Sequence, residues 1–168
     1  MIAMSVKIRN RHRLKRKAKQ ELQENINSSF DEPVLKEDVT LEQGFLDEVK
    51  LIFVDDVASF FIEDEIVFFT VPGLLQLKPN KRKVIVDMGA VRFVTNGADV
   101  MSPGIVGADE TIEPNQQVWI CDQRYQKPLA VGIAMISGVE MVERERGKAV
   151  MMKHYIGDKL WSKIQSID

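Results

Sequence analysis

The sequence predicts an α+β protein in two parts: a helix-led, β-rich domain over residues 1–80, then a small, partly closed β-barrel with a closing helix over residues 81–168. Three observations carry this. Only Gly44 and Gly73 of the ten glycines precede residue 81, so turn-forming punctuation is concentrated in the second half. Formal charge divides at similar places: +8 over residues 1–20, which hold no acid, −11 over 21–80 and +1 over 81–168, within a net −2. The apolar runs are short and rich in Val, Ile and Phe, the lengths and residues of strands. The boundary falls in "KPNKRK", Lys78 to Lys83, where the acidic segment ends.

From about Arg11 to Asn27 no Gly or Pro interrupts a run of good helix formers, and Leu14, Ala18, Leu22 and Ile26 recur every four residues as one apolar stripe. A helix is expected there. Its basic residues crowd the first half, the unfavourable end for the helix dipole. A use other than helix stability is therefore suggested for Arg9, Arg11, Arg13, Lys15, Arg16, Lys17 and Lys19. Three readings stay open: a solvated face, contact with phosphates, or a membrane-surface helix, against which the missing Trp or Phe on the apolar stripe counts.

Beyond residue 30, "VKLIFV", "VASFFI" and "IVFFTV" follow at hairpin spacing, separated by the acidic turns "DD" and "EDE". Their near-continuous apolar character predicts a sheet covered on both faces or packed by the first helix. Phe53, Phe60, Phe61, Phe68 and Phe69 lie here and read as core; a stacking platform for bases is disfavoured by the flanking acids.

In the second part, "RKVIVDMG" reads as a buried strand with Asp87 as a turn-forming carboxylate. "AVRFVTNGA" reads as a short helical turn closed by Asn96-Gly97. "QVWIC", "LAVGIAMI" and "KAVMMKHY" read as three more strands, and "GDKLWSKIQ" as a final helix. Between the helical turn and the strands lies "NGADVMSPGI", whose Gly-Ala and Pro-Gly pairs suit neither helix nor central strand. A loop so punctuated holds its backbone close to something: without a Cβ, Gly97 and Gly104 let backbone N–H groups approach a base edge or phosphate. Were the ligand a nucleic acid, Met101 and Ile105 would offer apolar contact to a base, Lys148 and Lys153 charge, and Arg92 a phosphate contact.

Composition excludes several classes. The run "IVFFTVPGLL" is about half of the ~20 residues a spanning helix needs, and no apolar segment follows the basic N-terminus as a secretory signal requires. One cysteine, Cys121, builds no disulfide, and with two histidines it fills no ordinary zinc site, so a reducing, cytoplasmic setting, no metal and no cofactor are expected. Cys121 reads as a small buried hydrophobe. The first 80 residues hold no Cys, no His after His12, no phosphate-cradling loop and no spaced metal ligands, so no catalytic residue and no enzymatic activity are expected.

"VDMGAVRFVTNGADVMSPGI", "PLAVGIAMI" and "GKAVMMKHYIGDKLW" together resemble the PUA domain, named for pseudouridine synthases and archaeosine transglycosylases, over roughly Lys81 to Trp161. The closing "HYIGDKLW" and the domain order resemble one subgroup, translation-associated proteins of the multiple-copies-in-T-cell-malignancies type and their stand-alone archaeal relatives. The resemblance implies a pre-PUA domain followed by a PUA pseudobarrel of about six strands. It implies RNA bound by Gly97, Ala98, Asp99, Val100, Met101, Ser102, Pro103, Gly104 and Ile105 together with Lys148, Met151, Lys153 and His154 of the last strand. For His154 a satisfied strand-end histidine is an equal reading. The implied function is non-catalytic RNA binding in translation, on rRNA or tRNA, with the small ribosomal subunit and a protein docked on the N-terminal domain as partners; no membrane and no DNA are expected. Two alternatives stay open: an accessory to RNA modification or ribosome assembly, and a protein-interaction module built on the acidic domain.

Overall fold

The computed structural model describes residues 5–167. The chain divides into two compact units, one running up to Pro79 and resumed from Lys159, the other Asn80–Asp158.

The first unit is an antiparallel meander of β1 (Arg9–Arg13), β2 (Leu41–Leu46), β3 (Val49–Val54), β4 (Val57–Glu63) and β5 (Ile66–Phe69), with α1 (Arg16–Phe30) between β1 and β2. The expected helix therefore begins five residues later than the sequence suggests, and Arg9, Arg11 and Arg13 sit on a strand. Pairing with β2 outweighs helix propensity here: His12 and Arg13 lie opposite Gln43 and Glu42, and Leu14 N–H donates to Leu41 O at 2.9 Å. Asn10, at φ 52°, absorbs the bulge in that pairing. The expected stripe is buried only in its later part. Ile26 and Phe30 are buried and Leu22 half-buried, while Ala18 is exposed.

The acidic turns are two-residue hairpin turns. Asp55 and Asp56 have φ of 46° and 72°, and Asp64 and Glu65 have 51° and 67°, the left-handed pair that matches strand twist. Both faces of the sheet are covered, as the continuous apolar runs require. Phe60 and Phe69 face Phe30 of α1, with ring centroids 4.8 Å apart within the sheet and 4.6 Å across to the helix. On the other face, α2 (Val71–Leu77) lies against β4 so closely that a Cβ on Gly73 would sit 2.0 Å from Ser59 O. The sequence reading did not separate this helix from the strand before it. Thr70 caps it, its Oγ1 accepting from Gly73 N at 3.0 Å. The closing helix α5 (Lys159–Gln165), which the sequence reading groups with residues 81–158, makes its contacts with the first unit. Ile164 is buried, Lys163 pairs with Asp47, and Val6 N–H donates to Ser166 O at 2.8 Å.

The second unit is a six-stranded sheet formed by β6 (Lys83–Val86), β7 (Val100–Met101), β8 (Ile105–Ala108), β9 (Gln117–Asp122), β10 (Pro128–Ala134) and β11 (Lys148–Tyr155). Its strand order is β7-β11-β10-β9-β6-β8, with β6 and β9 parallel and the other neighbours antiparallel. The two edge strands are joined directly by a 3-10 turn, Ser102–Gly104, so the sheet curls into the expected pseudobarrel. Its interior is Val84, Val86, Val100, Val118, Ile120 and Val150 with Val94 of α3 (Met88–Val94) and Met141 of α4 (Gly138–Glu143). Cys121 is fully buried in β9, where burial pushes its thiol up to about 11, as befits a small hydrophobe. Among the described residues, no helix is long and apolar enough to cross a membrane.

Candidate nucleic-acid interface

α3 leaves the sheet at Asp87, whose carboxylate caps the helix by accepting from Ala90 N at 2.8 Å. Asp87 is thus a helix cap, a more specific role than the turn-former read from sequence. Ten residues on, the chain turns back through Gly97 and runs antiparallel to the end strand β11, with Val100 opposite Val150 and Met101 opposite Lys148. The space between α3 and this returning segment is an open groove of about 540 Å³. Its walls are Phe93 and Ala90 on the helix side and Ala98, Met101 and Pro103 on the loop side. Phe93 and Met101 are 54% and 47% exposed, large apolar surfaces left uncovered across a groove.

The sequence-predicted residues divide. Ala98, Asp99, Val100, Met101, Pro103 and Gly104 line the groove together. Ile105, expected to touch a base, is instead a core residue of the barrel. Ser102 is buried, its N–H donating to Gly147 O at 2.9 Å and its hydroxyl without a partner among the described residues.

Gly97 is required for a reason other than the one expected. Its N–H is already given to Val94 O at 3.0 Å, so it is not offered to a ligand. The residue has φ +88°, and a Cβ there would meet the Tyr155 ring at 2.8 Å. Gly104 is likewise a packing glycine, because a Cβ would lie 3.0 Å from that of Ala90 and close the groove at its base.

Charge at the groove is arranged so that no carboxylate is loose. Asp99 holds Lys148 Nζ at 2.8 Å and accepts from Met152 N at 2.8 Å. The lysine first, and the backbone N–H second, keep its carboxyl below the ordinary 3.8. A depressed pKa in the folded state means this link contributes stability above the unfolded carboxyl's range, lost as pH falls through the folded value. The Met152 amide resonance is therefore expected to titrate with a midpoint below 3.8, and Asp99→Asn to abolish that titration.

Arg92 is exposed on α3 with its guanidinium 4.8 Å from the Phe93 ring centroid. Met151 is exposed on β11 and Lys153 half-buried. His154 is fully buried, with Nδ1 2.8 Å from Asp158 Oδ2; the satisfied-histidine reading holds, and the side chain does not reach the surface.

Phe93 is the principal groove residue that sequence reasoning missed. A signal existed: seven of the eight phenylalanines precede residue 81, and Phe93 stands alone in the second part on a helix too short to bury more than one stripe.

The basic N-terminal residues also divide. Arg11 lies 4.0 Å over the Phe53 ring and pairs with Glu42 and Asp56, Arg9 donates to Asp47 O, and Lys19 to Glu37 O. Arg13, Lys15, Arg16 and Lys17 are exposed and make no side-chain hydrogen bond or ion pair with another described residue. Among the described residues, no group of His, Cys, Asp and Glu is placed to hold a metal ion.

A barrel whose first helix and returning edge strand leave an apolar groove, in a chain that also folds a separate α+β unit, defines a small two-unit protein with one open apolar groove on its barrel. Residues 82–156 match the PUA domain, and the chain belongs to the PUA-domain family. An uncharacterized protein of Methanocaldococcus jannaschii is 38% identical over 94% of this chain and 98% of its own length. A PUA-domain structure from Aeropyrum pernix, solved as a tartrate complex, superposes with a TM-score of 0.86 at 25% identity, covering 96% of this chain and 98% of that one. Translation machinery-associated protein 20 of Schizosaccharomyces pombe is 36% identical over 86 residues, 49% of this chain and 48% of that protein, so the match spans about half the length of this named relative.

Proposed function

We propose that this chain is a non-catalytic RNA-binding protein of translation, holding unpaired nucleotides of rRNA or tRNA in the groove between α3 and β7. The observation that carries the reading is the pairing of Phe93 and Met101 as exposed apolar walls of an open groove, with Arg92 against Phe93 and Lys148 paired to the groove-lining Asp99. Splayed bases stack on such walls, whereas paired bases do not present their faces. The likeness to a translation machinery-associated protein favours translation, with the small ribosomal subunit as the setting and a protein partner on the first unit.

In-cell ultraviolet crosslinking followed by sequencing of the attached RNA tests this. Reads concentrated on one small-subunit rRNA element or on tRNA 3′ ends support it. Reads from precursor rRNA or guide RNAs move the protein to assembly or modification.

Arg13, Lys15, Arg16 and Lys17 are proposed as auxiliary phosphate contacts. α1 starts with no acid in its first turn and with Lys15 as an N-cap that makes no side-chain capping bond, so helix stability does not account for cations there. Single-stranded RNA affinity is expected to fall with salt at a log–log slope of about −0.7 per phosphate neutralised. Charge reversal of Arg13, Arg16 and Lys17 together is expected to flatten it by roughly 2. An unchanged slope would return them to a solvated face.

A further inference from the structure

The turn between β9 and β10, Gln123 to Lys127, plays no part in the groove, yet it is built with more care than a connection needs. Asp122, at the end of β9, is 4% exposed and spends its carboxylate on the turn: Oδ1 accepts from Tyr125 N at 2.6 Å and Oδ2 from Lys127 N at 3.0 Å. Its carbonyl accepts from Gln126 N at 3.0 Å, and Gln126 takes the left-handed conformation at φ 51°. Burial by itself would raise the Asp122 carboxyl, but the backbone N–H groups outweigh it and hold the group low, so the turn stays tied through the neutral range. What this scaffold presents is Tyr125, 75% exposed, with the Arg124 guanidinium 6.0 Å from its ring centroid and Lys127 exposed beside it. On the neighbouring strand, Lys83 Nζ donates to Gln126 Oε1 at 2.9 Å, adding a third cation. The one acid of the turn faces inward onto N–H groups, so the outward field is positive.

A tyrosine left in water on a turn held rigid by a buried carboxylate has no packing role. An aromatic ring flanked by cations that point outward is the chemistry that receives a nucleobase and its phosphates. The turn is also placed for this. Val86 pairs with Asp122, and the next residue, Asp87, lines the groove, so the turn stands at the end of the sheet from which α3 departs.

We propose that the β9–β10 turn is a second RNA contact, in which Tyr125 stacks on a base of the strand leaving the groove while Arg124 and Lys127 hold its phosphates. The proposal rests on the RNA reading of the groove and extends it to a neighbouring surface.

The probe is a 12-nucleotide single-stranded RNA of mixed sequence, with heparin as a polyanion that has no bases. Anisotropy titrations compare the full chain with Tyr125→Ala, Tyr125→Phe, Arg124→Glu and the groove variant Phe93→Ala. The expected result is a loss of roughly 5- to 150-fold in RNA affinity for Tyr125→Ala, recovery in Tyr125→Phe, and unchanged heparin binding in both. Arg124→Glu is expected to flatten the salt slope by about 0.7. A 5-iodouridine-substituted probe is expected to crosslink to the peptide carrying Tyr125. Unchanged RNA affinity in Tyr125→Ala, with affinity lost in Phe93→Ala, would overturn the turn as a contact and leave the groove standing. Equal losses for RNA and heparin in Tyr125→Ala would overturn stacking. No RNA binding by the unaltered chain would overturn both readings.

Discussion

Phe93→Ala combined with Met101→Ala is expected to weaken single-stranded RNA binding by about 5- to 150-fold while leaving the fold intact. The magnitude follows from base–aromatic stacking, which contributes about 1–3 kcal/mol per base. The intact fold follows from exposure: both side chains stand about half in water, and truncation of surface groups shifts stability by only about 0.5 kcal/mol. An anisotropy titration paired with a thermal melt separates the two. Normal affinity in a normally melting double variant would remove the groove as the RNA site. Gly97→Glu, which looks from sequence like the natural way to block the groove, is a poor substitute. With φ +88° and Tyr155 packed against it, that position answers to any side chain with backbone strain before it answers to a ligand.

The second large effect concerns the other unit. Phe69→Ala is expected to cost about 3–5 kcal/mol, because the ring is 1% exposed and lies between the rings of Phe30 and Phe60. Against a typical total of about 5–15 kcal/mol, that is a large share of the stability. Calorimetry is expected to show the transition of the first unit lowered by more than about 10 °C. RNA affinity per folded molecule should not change, which distinguishes a core ring from a stacking platform. A variant that kept its melting temperature and lost RNA would place the ring on a binding surface instead.

The division into an acidic, β-rich part and a glycine-punctuated barrel was legible because each leaves a local trace. Two-residue acidic turns set strand boundaries, and Gly97 closes α3 where the periodic pattern ends. The first strand was not legible as a strand. "RNRHR" is rich in residues that also suit a helix, and only its pairing with Leu41–Leu46, distant in sequence, selects the extended form. The loop from Gly97 to Ile105 was legible as a shaped segment, but the arrangement of its side chains was not. Whether Met101 or Ile105 faces outward depends on how the 3-10 turn Ser102–Gly104 rotates the chain, and the residue list does not contain that rotation. Lys148 was expected to offer charge, and its pairing with Asp99 was not legible because Asp99 lies 49 residues earlier, brought to it by the pairing of β7 with β11. Phe93 was passed over inside an apolar run whose other members, Val91 and Val94, do pack inward.

The return of α5 to the first unit has a consequence for how the molecule is made. Residues 80–158 form one compact unit from a contiguous stretch, so it can fold as soon as it has been synthesised. The unit begun earlier cannot be finished until the chain beyond Lys159 has emerged, because Ile164, the partner of Asp47 and the acceptor for Val6 are made last. Order of synthesis and order of completion are therefore reversed. A nascent chain stopped at Asp158 would carry a whole barrel after an N-terminal unit that still lacks Ile164, Lys163 and the Ser166 carbonyl.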